Sequence, residues 1–434
     1  MKKIVISLAG LLAAAAFAPQ ASAVPSFARQ TGMACDACHF NSYPILTAFG
    51  KSFKTGGYTM MGSETLVEGE HGLSIPSTLN MSVYLQHRTK KTTGGPKDAV
   101  GAASTNSGAL GRIDFPDEFA LFAAGRVSEG MGSLTEINIG SGAAGMAGTK
   151  LAIVNEIGDM KLLVVPFTVG GLGPQYGFDL FATGSTANGR VMENKDYSAA
   201  IYLGTDTSAS GAAVVVASDL FHVSFTPWVA GFAASNSGVT ATELGGQYVR
   251  AAFTPTLGGF ETGFGVQYFA GNALKGVDAA SAGTTPAVVA NNVNKAMIID
   301  AQAQGEVAGM PIGIYASYGS AAKSTATEVN MYNGSATTDK TKLGMLVDLG
   351  VVPHVFNVQL GYSTAKTGAQ IGTADETDNA VIVGVRYKLR QNFKLAAAYS
   401  MYSGTAQDAG GSFDHAAGFQ GGKSLLQVTM STGF

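Results

Sequence analysis

From about residue 76 to the C-terminus, apolar and polar residues alternate in short runs separated by Gly, Asn, Asp and Ser. Leu79-Asn80-Met81-Ser82-Val83-Tyr84-Leu85-Gln86 is the first clear run, and a period of two sends successive side chains to opposite faces of a strand. The pattern returns at residues 150–156, 161–169, 221–229, 260–269, 312–318, 356–362 and 380–387. Brief connections such as Ile157-Gly158-Asp159, Thr254-Pro255-Thr256 and Arg390-Gln391-Asn392 join these runs as hairpins. The last run, Leu426 to Phe434, alternates once more and ends on an aromatic residue, as the closing strand of an outer-membrane barrel does.

These features predict an all-β fold, an antiparallel outer-membrane β-barrel over residues 76–434. Its short connections belong on the periplasmic rim and its long polar ones outside. The long loops are expected near 89–116, 271–295, 321–341, 365–378 and 404–422. About 18 strands can be counted, but the stretch 170–195 is ambiguous between strand and loop. With both ends periplasmic the number must be even, so 16 strands are expected and 18 is the alternative. A barrel of that size encloses room for a plug or an aqueous channel.

Composition agrees with this picture. Charged residues make up 13% of the chain, against about 25% in ordinary soluble domains, and Gly reaches 58 of 434 residues. After the first twenty-odd residues no apolar run reaches the roughly 20 residues of a membrane-spanning helix. A soluble sandwich or propeller would carry more charge, and a propeller a recurrent blade period. The net charge of −3 gives no reason to expect nucleic acid as a partner.

The N-terminus departs from the strand pattern. Lys2 and Lys3, the apolar run Ile4 to Phe17 and Ala21-Ser22-Ala23 read as a signal peptide over residues 1–23. The next unit, residues 24–75, carries both cysteines of the chain in Cys35-Asp36-Ala37-Cys38-His39. That spacing lets two thiols form thioethers with one haem c while the adjacent His39 reaches its iron. A redox dithiol would sit in an α/β unit, and a zinc site would bring a second ligand pair; neither context is present. For the second axial position Met60 is the expected ligand, ahead of Met61 and His71, with Met33 too close to the first thioether.

Ile45, Leu46, Phe49 and Phe53 recur at helical spacing and predict a short amphipathic helix ended by Gly56-Gly57. Arg29, Lys51 and Lys54 are candidates for pairing with haem propionates, or for simple solvation. A unit of roughly fifty residues seldom buries enough surface to stand alone, which predicts that it is inserted in the lumen as a plug.

Pro25-Ser26-Phe27-Ala28-Arg29-Gln30-Thr31-Gly32, the haem motif, then Pro44, Leu46, Thr47, Phe49, Gly50, Phe53 and Lys54 together resemble the fused monohaem cytochrome c-porin family. The close match covers about 35 residues. The resemblance implies an outer-membrane iron(II) oxidase that takes electrons from extracellular Fe(II) and passes them through one haem to a periplasmic c-type cytochrome. An iron site is not itself legible. Asp98, Asp114, Asp117 and Glu118 are scattered among Lys90, Lys91, Lys97 and Arg112, and His87, His222, His354 and His415 are dispersed. Two alternatives stay open: a solute-transporting porin whose haem segment is a gate or assembly plug, and a peroxidase or sensor, which would need a distal acid–base pair.

Overall fold

The structure is a computed structural model that describes residues 25–93, 111–139, 145–183, 198–232, 238–278, 291–408, 412–414, 419–420 and 424–434. The signal peptide, Lys97, Asp98 and His415 lie outside the described residues.

Sixteen antiparallel strands close into one barrel. They are β1 Met81–Thr92, β2 Gly111–Ser128, β3 Met131–Asn138, β4 Gly145–Ile157, β5 Met160–Val169 and β6 Ala209–Ala217. Then come β7 Phe221–Val229, β8 Gly246–Phe253, β9 Phe260–Gly271, β10 Ala296–Val307 and β11 Met310–Ala321. The last five are β12 Lys340–Val352, β13 Phe356–Ile371, β14 Ala374–Arg390, β15 Phe393–Ser403 and β16 Ser424–Gly433. Closure is made by β16 on β1, in register from Leu425↔Thr92 to Gly433↔Tyr84. Closing the ring leaves no sheet edge to be exposed in hydrocarbon, where an unpaired amide has no water to bond.

Alternation sorts the two faces. On β10, Met297 and Ile299 point outward while Ile298 and Asp300 are buried inside; on β13, Val358, Leu360 and Tyr362 are outward and Asn357, Gln359 and Ser363 inward. An apolar outer band around a polar interior is the pattern a lipid-facing barrel needs.

Two expectations change. Residues 365–378 are not a long loop: β13 and β14 pair out to Ile371↔Ala374, leaving the turn at Gly372-Thr373. Their polar cross-strand contacts, among them Lys366 with Asp375 at 2.7 Å, let this hairpin stay paired without an apolar face. The stretch 170–195 adds no strand to the barrel, because β5 before it pairs directly with β6 after it. Its described part, residues 170–183, folds irregularly into the lumen instead, which fixes the count at 16 rather than 18.

The core therefore lies inside the barrel. Phe178, Leu180 and Phe181 of the in-folded segment pack with Phe53 and Tyr58 of the N-terminal unit and with Leu163 and Val165 of the wall. The N-terminal unit contains α1 Pro25–Thr31, α2 Cys35–Cys38 and α3 Ala48–Thr55, followed by a small hairpin of residues 66–68 with 74–76. It is pinned to the inner wall by directional bonds. The Arg29 guanidinium donates to the Met81 carbonyl. Gln30 donates to the carbonyls of Tyr58 and Met60, each at 2.8 Å, and accepts from the Arg126 amide at 3.0 Å. Tyr43 shares a hydrogen bond with Ser431 at 2.8 Å, and Lys51 meets Glu261 at 3.5 Å. These wall residues sit near the strand ends that lead to the short turns, so the unit occupies the half of the lumen beside those turns.

Candidate cofactor site

The single turn α2 brings Cys35 and Cys38 to one side of the chain, and the His39 amide closes it on the Cys35 carbonyl at 2.8 Å. At His39 the backbone becomes extended and bridges Leu46, so residues 40–45 return as a loop beneath the motif. Thr47 locks this return. Its hydroxyl donates to the Ala37 carbonyl at 2.7 Å and accepts from the Gly50 amide at 3.1 Å, capping α3 while tying it to α2. Gly50 is required by contact, since a Cβ there would lie 2.1 Å from the Cys38 carbonyl oxygen.

His39 Nδ1 lies 3.1 Å from the Ile45 carbonyl oxygen. A carbonyl only accepts, so Nδ1 carries the proton and the Nε2 lone pair is left free. Burial pushes the His39 imidazole down to about 4, which keeps it neutral, the form that can bind a metal ion. Both thiols are free and buried. Burial, with the neighbouring Asp36 carboxylate adding to it, raises the Cys35 thiol to about 12, and burial also raises Cys38. Neither is therefore a ready thiolate redox centre.

Cys35 and His39 border a cavity of about 400 Å³ between the N-terminal unit and the barrel. This falls within the usual range for cofactor and ligand sites. His354, Val355, Asn392 and Phe393, from the short turns and their flanks, form its rim, and Gln175, Tyr176 and Asp179 of the in-folded segment roof it. Asp36 pairs with His354 at 3.4 Å across the rim, and Lys394 lies 3.9 Å from the Tyr43 ring centroid.

Toward the roof stand two lysines, Lys54 from α3 and Lys150 from β4. Lys54 donates to the Asp179 carbonyl, and Lys150 donates to the Tyr176 carbonyl at 2.9 Å while lying 4.2 Å from that ring's centroid. Burial lowers the Lys54 ammonium from its ordinary range, partly offset by the Asp179 carboxylate. Deeper in the lumen Arg250 forms a two-pronged pair with Asp300 at 2.6 and 2.9 Å and faces Asp179 at 3.5 Å.

The structure thus gathers Cys35, Cys38 and His39, but not Met60. Met60 is 41% exposed and is held by its carbonyl, and no methionine borders the cavity among the described residues. Of the three cations singled out in the sequence, Lys51 and Arg29 hold the barrel wall, whereas Lys54 faces the cavity. Asp114 and Asp117 pair with Arg112 and Arg88. His222 is fully buried 3.9 Å from Asp179, between the rings of Phe178 and Phe181. Among the described residues no cluster of three or more His, Cys, Asp or Glu is placed to hold a metal ion.

Sequence reasoning missed Lys150 and Asp179, and it noted Thr47 only in the family resemblance and not for its capping role. Thr47, three positions before the Gly50 amide it caps, was a readable capping signal. Lys150 announces itself only by its strand parity, as a charge on the inward face of β4.

A closed sixteen-stranded barrel with an apolar outer band and a polar interior is an outer-membrane barrel of porin-like architecture. No family model matches the chain, and no curated protein does. Solved structures with a similar fold include the outer-membrane OmpT of Vibrio cholerae, with 12% identity, coverage of 85% of this chain and 100% of that one, and a TM-score of 0.49. The outer membrane channel DcaP of Acinetobacter baumannii has 9% identity, coverage of 82% and 96%, and a TM-score of 0.48. The anion-selective porin from Comamonas acidovorans has 11% identity, coverage of 82% and 98%, and a TM-score of 0.46.

Proposed function

We propose that the chain is a monohaem c-type cytochrome seated in an outer-membrane barrel, and that it passes electrons from extracellular Fe(II) to a periplasmic c-type cytochrome. The observation that carries this reading is the joint geometry of Cys35, Cys38 and His39. Two free thiols and one neutral imidazole with an unshared Nε2 lone pair stand side by side, and Cys35 and His39 border a cofactor-sized cavity. Cys35 and Cys38 would hold haem c through thioethers, and His39 Nε2 would ligate its iron, its ring fixed by the Ile45 carbonyl. Haem supplies one-electron redox chemistry when bound. The barrel's own contribution is to wall the cavity and set the polarity around the site, while the Ile45 carbonyl orients His39.

Fe(II) as donor and the periplasmic cytochrome as acceptor rest on the resemblance of residues 25–54 to the cytochrome c-porin family. The cavity's rim of short turns favours electron exit on the periplasmic side. Because tunnelling falls steeply with distance, the donor must approach through the lumen above the roof.

The test is a haem stain of the denatured protein followed by reduced-minus-oxidised spectra with Fe(II) as the reductant. Covalent haem that Fe(II) reduces is the expected result; haem that stays oxidised under excess Fe(II) rejects the donor. A porin that transports solutes, with the N-terminal unit as its plug, is the second reading, favoured by the porin-like barrel itself. Solute flux through liposomes that persists unchanged whether the haem is oxidised or reduced would favour it.

A further inference from the structure

We propose that Lys54 and Lys150 form a two-lysine cradle for the propionates of the haem, fixing which way the macrocycle faces in the cavity. This rests on the haem reading above. The starting point is a mismatch in charge. Elsewhere in the same lumen, buried arginines are matched: Arg250 by Asp300 at 2.6 Å and Arg386 by Asp348 at 2.8 Å. Lys54 and Lys150 have no such match. Among the described residues their ammonium groups meet only carbonyl oxygens and aromatic rings, those of Asp179 with Phe178 and of Tyr176.

The Asp179 carboxylate does not answer Lys54 directly, since it is turned to Arg250 and to the Phe181 amide. Glu118 and Glu136 also border the cavity, but among the described residues no ion pair joins either of them to Lys54 or Lys150. An ammonium taken from water without a counter-charge in contact is costly, so two bordering one cavity favour an occupant that brings anions.

The cavity's other groups say which edge of the occupant lies there. Thioethers to Cys35 and Cys38 would hold the vinyl edge of a c-type haem beside them, leaving its propionates toward the far side of the cavity. Lys54 stands on α3, one turn beyond Gly50, and Lys150 on the facing wall, so plug and barrel each supply one donor. Both lysines also hold the roof by its carbonyls. A dianion between them would bind plug, wall and in-folded segment together. The rim's Lys388, by contrast, acts electrostatically on Cys35 at the thioether edge.

The experiment uses the full-length holoprotein in detergent. Its variants are Lys54→Gln with Lys150→Gln, the charge-keeping Lys54→Arg with Lys150→Arg, and the rim control Lys388→Gln. Each is measured by spectroelectrochemistry and by the haem propionate-bending band in resonance Raman. Removing two positive charges beside the propionates would favour the ferric state. At fixed solution potential the double Gln variant should therefore lower the ferrous-to-ferric ratio about tenfold, 59 mV for a one-electron couple.

Its propionate band should move to the position of a water-bonded propionate, while the Arg pair restores both readouts and Lys388→Gln leaves the propionate band in place. A double Gln variant with full covalent haem and both readouts unchanged overturns the proposal, as does a wild-type band already at the solvated position, a measurement that needs no variant to fold. Wild-type protein without covalent haem would instead overturn the haem reading on which the cradle depends.

Discussion

The N-terminal unit has helices of seven, four and eight residues, whereas the barrel around it has strands of eight to eighteen. The helices are too short to be stable in water by backbone bonding, because helix nucleation costs more than so few bonds return. The barrel needs no such help, since every strand has two partners and the ring has no edge. Small elements in this protein are held by what they touch, and those contacts are side chains: Gln30, Thr47, Lys51, Ile45 and Phe53. That difference makes the unit a plug shaped by its container, and it predicts that the two parts fail separately.

The strongest break is at the haem motif. Replacing Cys35 and Cys38 by Ser should abolish covalent haem, seen as loss of the haem-stained band, while the protein still reaches the outer membrane and shifts mobility on heating as a folded barrel. If the barrel is lost as well, the two parts are one cooperative unit. Next in size is a break on the barrel side. Arg250→Met strands Asp300 and Asp179 without their shared cation and should cost about 3–5 kcal/mol of barrel stability. Denaturant unfolding of the micelle-bound protein measures it, and haem content per folded barrel should change little.

Gly50→Ala should act on the plug instead. A Cβ pressed against the Cys38 carbonyl must part α3 from α2, costing about 1–3 kcal/mol locally. The expected readout is less haem per folded barrel by pyridine haemochrome, with barrel unfolding unmoved. Smallest is Lys51→Ala. Its partner Glu261 is 39% exposed, so the lost ion pair should be worth under about 1 kcal/mol, and haem content should stay at the wild-type level.

How much was legible before the fold was seen differs between the same two parts. Strand parity was readable wherever one face meets lipid, because outward positions such as Met297, Ile299 and Leu360 must be apolar. Above the membrane that constraint lapses, and so the β13–β14 hairpin of polar residues looked like a loop. The irregular segment around Asp179 was ambiguous for a related reason: apolar residues that line a lumen read like apolar residues that face lipid.

In the N-terminal unit the local chemistry was plain. Cys35, Cys38 and His39 carry their spacing with them, and the helix over Phe49 and Phe53 follows from periodicity, capped by Thr47 and ended by Gly56. Distal partners were not, because nothing in a linear chain states which Met or Lys will share a cavity with His39. Nearness in sequence points to Met60 as the second ligand, yet the structure leaves it off the cavity wall.

The sequence alone therefore determined the barrel, its closing strand and the spacing of Cys35, Cys38 and His39, since each depends on residues that are neighbours or alternate along one strand. Tertiary structure alone decided the count of sixteen, the inward course of residues 170–183 and the meeting of Lys54 with Lys150 at the cavity's roof. Those depend on closure. Only when β16 pairs with β1 does the inward face of each strand acquire a neighbour from across the chain, and only then is a cavity defined.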